Sequence, residues 1–274
     1  MSDRHEYDLI EAVNWSTLRA LAQSPLHYRH RLSSPPEETA RMLIGRAVHT
    51  AVLEPDRFGE TYAVWDGGRR AGKAWEEFAA AAGERAVLRA DEAEAVSAMA
   101  VAVRSHPVAG PLLASGRAEV TLTWTDQRTG LACKARPDWI GDDGGLVELK
   151  TMPTVEPAAV GAHVARLLYH CQLAFYAIGV EAVCGQRPTS VRLVAVEVEP
   201  PHDVGVYLVD DDVLYAGEDQ VRELLALLAR CRERDEWPGR CPTEQRLELP
   251  RWWWAQQAAD ELELVGLAPR KEAP

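Results

Sequence analysis

Three segments in the middle of the chain alternate polar and apolar residues, which is the pattern of β-strands that bury one face. They span residues 117–124, 131–140 and 145–150. Turn-forming residues separate them at 126–130 and 141–144, and strands joined by such short turns pair with their neighbours. The pattern therefore predicts three neighbouring antiparallel strands.

Helical spacing of apolar residues precedes these strands. Asn14 is suited to cap a helix from Trp15 to Ala22, which ends before Pro25 because a residue that precedes proline is displaced from the helical region. A second helix is predicted from about residue 41 to residue 53. The first part of the chain is therefore expected to be mainly helical.

The interval between these helices and the strands is less regular. Residues 63–83 are rich in glycine and polar side chains and are expected to be irregular. Asp91 and Glu94 then form a capping box for a long helix that ends at His106, before a proline. This interval is expected to act as scaffold.

After the three strands the pattern becomes helical again. It predicts a helix from about 157 to 183, strands at 191–198 and 204–209, and a helix that ends near residue 234. A last polar helix follows the tryptophan run at 252–254.

Helices, then a sheet, then further helices indicate an α/β (α+β) fold. The 274 residues suffice for one sizeable core and are too few for two full enzymatic domains. We therefore expect a single domain over 1–274, with a mainly helical part in 1–110, the sheet and helix that carry the chemistry in 117–210, and C-terminal helices in 211–274.

Charge and composition change the picture only slightly. The net charge of −12, from 30 basic and 42 acidic residues, is mild evidence against a nucleic-acid partner. Binding depends on local potential, however, and carboxylates that hold metals lose their effective charge when the metals bind. A hydrophobic fraction of 47% describes an ordinary globular protein.

Sequence features also indicate where the protein acts. No stretch approaches the roughly 18 to 20 apolar residues that span a bilayer, and the first residues lack the apolar core of a signal peptide. We expect a cytoplasmic protein with no membrane partner. The cysteines are odd in number, show no C-x-x-C pair and are expected to be reduced thiols: Cys133, Cys171, Cys184, Cys231 and Cys241.

Polar residues that alternate with the apolar ones would share one face of the predicted sheet. They are Glu119, Lys134, Arg136, Asp138, Glu148 and Lys150. Two carboxylates and one lysine are the smallest set that can bind Mg²⁺, hold a water molecule and place positive charge near a phosphodiester. The spacing alone equally fits a solvated sheet face with cross-strand ion pairs.

The order of four motifs resembles the PD-(D/E)xK nuclease superfamily, and within it the phage and prophage exonucleases related to exodeoxyribonuclease VIII (RecE). The motifs are GRAVHTAVLEP at 45–55, CKARPDW at 133–139, ELKT at 148–151 and YHCQLAFY at 169–176. This resemblance implies a restriction-endonuclease-like core, in which helices flank a central mixed sheet. Glu148 stands where relatives often have Asp, and the superfamily pattern accepts either residue.

The resemblance also implies roles for individual residues. Asp138, Glu148 and the Leu149 carbonyl would bind the catalytic metal, and His49 would complete a second metal position. Lys150 would orient the attacking water and stabilise the transition state. Two residues four apart on one helical face, Gln172 and Tyr176, would line the site. Glu119 and Arg136 are further candidates.

The activity implied by the resemblance is a Mg²⁺-dependent exonuclease, with Mn²⁺ as an alternative metal and no iron-sulfur cluster. It would resect linear double-stranded DNA from 5′ to 3′ for a phage single-strand annealing protein. A ring-like homo-oligomer is expected, with Lys134 and Arg136 along its channel. The alternatives are an endonuclease or single-strand exonuclease with the same chemistry, and a non-catalytic DNA-binding subunit.

Overall fold

The computed structural model describes residues 3–34 and 37–264. The described helices are α1 (Asp3–Leu9), α2 (Trp15–Leu21), α3 (Pro25–Ser33), α4 (Ala40–Leu53), α5 (Phe58–Thr61), α6 (Lys73–Ala82), α7 (Ala90–Ser105), α8 (Ala109–Leu112), α9 (Pro157–Leu167), α10 (Tyr169–Cys184), α11 (Asp211–Arg234) and α12 (Arg251–Leu264). A 3₁₀ turn, Pro55–Arg57, joins α4 to α5. The described strands are β1 (Tyr62–Trp65), β2 (Ala86–Arg89), β3 (Gly116–Ala118), β4 (Leu122–Thr125), β5 (Ala132–Ala135), β6 (Trp139–Gly141), β7 (Leu146–Met152), β8 (Val191–Glu197) and β9 (Val204–Leu208).

A five-stranded mixed sheet lies at the centre, in the order β3, β6, β7, β8, β9. β7 and β8 are parallel, and the other neighbours are antiparallel. Parallel neighbours need a long crossover, which α9 and α10 supply here. Two small sheets stand beside the central one: β1 pairs with β2, and β4 pairs with β5. The predicted α/β class is confirmed.

Helices cover both faces of the central sheet, because successive residues of a strand point to opposite sides. On one side Leu149 of β7 belongs to a core cluster with Val48 of α4 and Met99 of α7. On the other side Leu146 belongs to a cluster with Phe175 of α10. β7 is therefore an inner strand, and the polar side chains that it carries lie inside the protein.

The expected trio of neighbouring antiparallel strands is present as β3, β6 and β7, but the extents predicted for the first two segments are wrong. The segment 117–124 divides at Glu119, whose φ of 51° turns the chain so that β3 joins the central sheet while β4 pairs with β5. The Glu119 amide donates to the carbonyl oxygen of Asp138 at 3.0 Å, which holds this turn in place. The segment 131–140 divides at Pro137, which has no amide hydrogen for a strand ladder.

The interval 63–83 was expected to be irregular, and this is also wrong in part. It contains most of β1 and the whole of α6. An aromatic cluster joins the two elements, since the rings of Trp65 and Trp75 lie 5.5 Å apart and those of Trp65 and Phe78 lie 5.0 Å apart. Such pairs hold a short strand against a helix despite the glycines between them.

The long helix before the strands begins slightly earlier than expected. α7 starts at Ala90, and the amide of Arg89 donates to Glu92 Oε2 at 2.8 Å. The capping pair is thus not Asp91 with Glu94, because the reciprocal contact must link the residue before the helix to its third residue. The cap predicted for α2 is confirmed: Asn14 Oδ1 accepts from the Thr17 amide at 2.9 Å.

The helix expected over 157–183 is two helices. Leu168 adopts a left-handed φ of 58°, and α9 and α10 are bent by 70° relative to each other. Within 3–34 and 37–264, no single helix is long and apolar enough to cross a membrane, and α9 and α10 meet that test only as a bent pair.

Candidate active site

The antiparallel pairing of β6 with β7 brings the two predicted acidic residues together. Trp139 lies opposite Val147, so Asp138, just before β6, approaches the middle of β7, which carries Glu148 and Lys150. Asp138 Oδ2 accepts from the Leu149 amide at 2.7 Å, and this fixes the carboxylate against the strand. The direction of these side chains follows from the pairing register, in which one residue of slip would reverse the face.

Glu148 is buried, with 2% of its surface exposed. Its Oε1 accepts from Lys150 Nζ at 2.5 Å and from Gln172 Nε2 at 2.8 Å. Its Oε2 is also buried and has no hydrogen-bond partner among the residues that the structure describes. A buried carboxylate oxygen without a partner is unfavourable, and a cation beside it would remove that penalty. The residues present therefore fit a divalent metal.

His49 reaches the Asp138 carboxylate from α4. Its Nδ1 lies 3.2 Å from Asp138 Oδ1. α4 packs on β7 at this level, since Val48 of α4 shares a core cluster with Leu149 of β7. The histidine is thus held beside Asp138 by the packing of α4 on the central sheet.

Glu119 and Arg136 form the third part of the site. Glu119 Oε2 lies 2.8 Å from Arg136 Nε. Glu119 has a left-handed backbone, and such conformations are common at functional sites. Ligand atoms of His49, Glu119 and Asp138 all lie within 4.8 Å of one another, close enough to hold one metal ion.

Gln172 and Tyr176 lie one turn apart on α10, as expected. Gln172 Nε2 donates to the Tyr176 hydroxyl oxygen at 2.9 Å as well as to Glu148. The pair therefore orients the Glu148 carboxylate. Sequence reasoning missed Tyr169, whose ring centroid lies 5.2 Å from Lys150 Nζ. Its place at the start of α10, inside the fourth motif, was the only signal that could have singled it out.

The acidic and basic groups of the site shift one another's pKa values. Burial and the neighbouring charge of Asp138 raise the pKa of Glu148 to about 7. Burial acts in the same direction on Asp138, but the charge of His49 and its hydrogen bond hold the pKa of Asp138 below its usual value. Burial lowers the pKa of Lys150, but the nearby carboxylates raise it by more, so the pKa of Lys150 is above its usual value. Glu148 thus titrates near neutrality.

Lys134 does not belong to this surface, and the expectation that it lines a channel is wrong. Only 4% of the residue is exposed, its Nζ donates to the Tyr7 carbonyl oxygen at 2.7 Å, and it lies 4.4 Å from the centre of the Tyr7 ring. β5 belongs to the small sheet with β4, so its side chains do not continue the face of β7. Lys134 was predicted to share a face with Asp138, Glu148 and Lys150, but its side chain contacts α1 instead.

Residues 14–248 match the model of a family described as a PDDEXK-like domain of unknown function (DUF3799). No curated protein sequence matches the chain significantly. A crystal structure from Eubacterium rectale, which carries a provisional exonuclease name, is similar with a TM-score of 0.66 and 15% identity, over 94% of this chain and 98% of that one. An alkaline exonuclease from Laribacter hongkongensis is similar at 14% identity and a TM-score of 0.37, over 84% of this chain and 97% of that one. The predicted restriction-endonuclease-like fold, with its central mixed sheet between helices, is confirmed.

Proposed function

The chain belongs to the family of PDDEXK-like domains, and on that premise we propose that it is a metal-dependent nuclease that hydrolyses phosphodiester bonds of DNA. The observation that carries the proposal is the buried Glu148 carboxylate, which faces Asp138 and Lys150 and has one oxygen without a partner among the described residues. A solvated sheet face with surface ion pairs would not bury these groups.

Each residue of the site has a task that its position suits. Asp138 and Glu148 would hold the metal, together with the Leu149 carbonyl. His49 and Glu119 would hold a second one, with Asp138 shared between the two positions because its carboxylate lies within reach of both residues. The metal supplies positive charge that polarises the phosphodiester and activates water. The Lys150 ammonium, once displaced from Glu148, would orient the attacking water and offset charge that develops on the phosphate.

Gln172 and Tyr176 keep Glu148 in place during this exchange. Gln172 Nε2 donates to both Glu148 Oε1 and the Tyr176 hydroxyl. Its donor group remains available to the carboxylate whether or not Lys150 is paired with it. Burial and the charges of Glu148 and Asp138 raise the pKa of Tyr176 well above its usual value, so the hydroxyl stays neutral. The pair is therefore assigned to orientation rather than to proton transfer.

The finer features of the proposal come from the family resemblance. They are Mg²⁺ as the metal, with Mn²⁺ as an alternative, and 5′ to 3′ resection of linear duplex DNA by a homo-oligomer that works with a phage annealing protein. An endonuclease and a single-strand exonuclease use the same chemistry, and the site geometry favours none of the three.

One digestion series tests the proposal. Linear duplex labelled at the 5′ or 3′ end, single-stranded DNA and a covalently closed circle are incubated with Mg²⁺, Mn²⁺ or EDTA, using the wild type and Asp138→Ala. The expected result is loss of linear duplex from the 5′ end, only with metal and only in the wild type. Cleavage of the closed circle would establish the endonuclease instead. Binding of DNA without cleavage under any metal would leave the non-catalytic subunit.

A further inference from the structure

We propose that Tyr169 is a positioning residue for Lys150, and that the face of its ring holds the ammonium in the site when the ammonium is no longer paired with Glu148. The inference rests on the proposed function and deepens it, because it assigns the group that keeps the water-orienting lysine in place during the reaction. Tyr169 would act through Lys150 alone.

Lys150 has two different partners in the metal-free site. Its Nζ lies 2.5 Å from Glu148 Oε1, and it also lies over the Tyr169 ring, 5.2 Å from the ring centre. A cation within about 6 Å of an aromatic centroid is attracted by the negative face of the ring. The Lys150 side chain is 18% exposed, so water screens this attraction only weakly. Tyr169 therefore stabilises the ammonium independently of the carboxylate.

The proposed role of Lys150 requires its ammonium to change partners. While the ammonium is paired with Glu148, the carboxylate offsets its charge. An ammonium that orients water and stabilises a phosphate has to turn away from that carboxylate, and the flexible four-carbon stem of lysine would then let it leave the site. A ring face has no net charge, so it can hold the ammonium and leave the positive charge available to the phosphate.

One face of α10 serves both members of the Glu148–Lys150 pair. Tyr169 is the first residue of α10, and Gln172 and Tyr176 follow at the spacing of a single helical face. Gln172 donates to Glu148 and to the Tyr176 hydroxyl, and Tyr169 lies over Lys150. The ring is thus placed by the same helix face that orients the carboxylate.

The backbone just before Tyr169 is strained. Leu168 has a left-handed φ of 58°, which is unfavourable for a residue with a bulky side chain. This residue ends α9 and begins α10 at a bend of 70°. Strained positions of this kind persist only where the surrounding structure enforces them, and they are concentrated at functional sites. Here the bend starts α10 with the Tyr169 ring at Lys150.

Packing is the alternative explanation for Tyr169. Its side chain packs against a small apolar cluster that includes Leu193, so loss of the ring would weaken this cluster whether or not the ring holds a lysine. Tyr207 of the neighbouring strand β9 packs against the same cluster, and its hydroxyl donates to the Val155 carbonyl oxygen. Tyr207→Leu is therefore the matched control, because it removes a ring from the same cluster.

Nuclear magnetic resonance of the lysine side chains tests the contact without catalysis. The chain has few lysines, so ¹³C-labelled lysine gives few signals: Lys73, Lys134, Lys150 and Lys271. Protons over a ring face are shifted upfield, and the Lys150 ε-methylene, assigned with Lys150→Met, should lie upfield of that of the exposed Lys73. In Tyr169→Leu this shift should be lost, whereas Lys134, 4.4 Å from the centre of the Tyr7 ring, should keep its own.

The decisive sample is Glu148→Gln in EDTA, in which the ammonium has lost its charged partner and Tyr169 is unchanged. The Lys150 signal should remain upfield in this sample, and also in the wild type with Mg²⁺. If it moves to the position of an exposed lysine in either one, the ring does not hold the unpaired ammonium and the proposal fails. Neither sample needs a substitution at Tyr169, so the result stands even if Tyr169→Leu does not fold.

Cleavage of linear duplex with Mg²⁺ tests whether the contact matters to the reaction. Tyr169→Leu should lower kcat about 5- to 30-fold with KM unchanged, which corresponds to loss of a cation–π contact of about 1–2 kcal/mol. Tyr169→Phe keeps the ring and Tyr207→Leu keeps the contact, so both should stay within about twofold of the wild type. An equal loss in Tyr169→Phe would assign the effect to the hydroxyl, and an equal loss in Tyr207→Leu would assign it to packing. Either result overturns the proposal.

A double-mutant cycle ties the effect to the lysine. In the Lys150→Met background, Tyr169→Leu should cause no further loss of rate, because the ring then has no ammonium to hold. A further loss by the same factor would show that the two residues act independently and would overturn the proposal. Absence of cleavage by the wild type overturns the proposed function, whereas an unchanged kcat in Tyr169→Leu overturns the role of Tyr169 alone.

Discussion

The substitution Glu148→Gln should stabilise the metal-free protein at alkaline pH. The environment of Glu148 raises its pKa from 4.5 to about 7, so the folded state holds a proton that the unfolded chain has lost between these values. Stability from this group is fully present below about pH 4.5 and is lost as the pH rises through 7. Glutamine resembles the protonated carboxyl in shape and cannot ionise, so the variant escapes this loss.

The size of the effect follows from the shift. Ionisation of Glu148 in the folded state at pH 8 costs about 3 kcal/mol relative to ionisation in the unfolded chain. For a protein of this length that difference corresponds to roughly 6–12 °C in Tm. At pH 4.5 the two proteins should differ little, because the wild-type carboxyl is then protonated in the folded state. The same variant should lose its metal affinity, since an amide replaces a charged ligand.

Thermal unfolding in EDTA at pH 5 and at pH 8 measures the difference in Tm between the wild type and Glu148→Gln. Glu223→Gln is the control, because Glu223 is exposed in the middle of α11. The wild type should lose stability relative to Glu148→Gln between the two pH values, and added Mg²⁺ should raise the Tm of the wild type alone. Equal Tm values for the wild type and Glu148→Gln at pH 8 would refute the view that Glu148 is a destabilising buried carboxylate that awaits a cation.

Three further outcomes are expected. Lys150→Met should keep metal binding, measured by calorimetry, and lose several powers of ten in cleavage rate; loss of metal binding with an unchanged rate at saturating metal would contradict its role. Gly179→Ala should lower stability by about 1–3 kcal/mol in urea unfolding, because the new Cβ would stand 2.8 Å from the Trp124 ring; an unchanged midpoint would show that α10 shifts freely. The purified protein should be colourless and remain active after thiol alkylation, whereas stoichiometric iron in a brown preparation would indicate a cluster.

The strand pattern predicted the face of β7 but not the path of its neighbours. Alternation in ELK placed Glu148 and Lys150 on one side, and the structure has them paired through Oε1 and Nζ. Alternation continues across Glu119, however, so nothing in the hydrophobic pattern reveals the positive φ there. For the second segment, Pro137 was the only local signal of a division, because proline interrupts strand ladders. Lys134 was misplaced for this reason, since β5 was assigned to the same sheet as β7.

Contacts between residues far apart in the sequence were the other feature that the sequence pattern could not predict. His49 and Gln172 reach the site from α4 and α10, and helical periodicity placed each on a helix without showing what the helix packs against. Only the order of the four motifs singled them out. The break at Leu168 escaped prediction because a non-glycine residue in the left-handed region has no compositional signature. Tertiary packing decides such positions, and sequence pattern reports only local preference.

A net charge of −12 does not oppose the proposed activity, because the site is locally compensated. Asp138 lies against His49, Glu148 against Lys150, and Glu119 against Arg136. Each carboxylate thus already has a cationic partner in the metal-free protein. A divalent metal held by these carboxylates would release those partners, and the site would then carry an excess of positive charge for a phosphate backbone. The affinity for the proposed DNA substrate would therefore depend on metal loading far more than on the overall charge, and the negative net charge is a weak argument against that substrate.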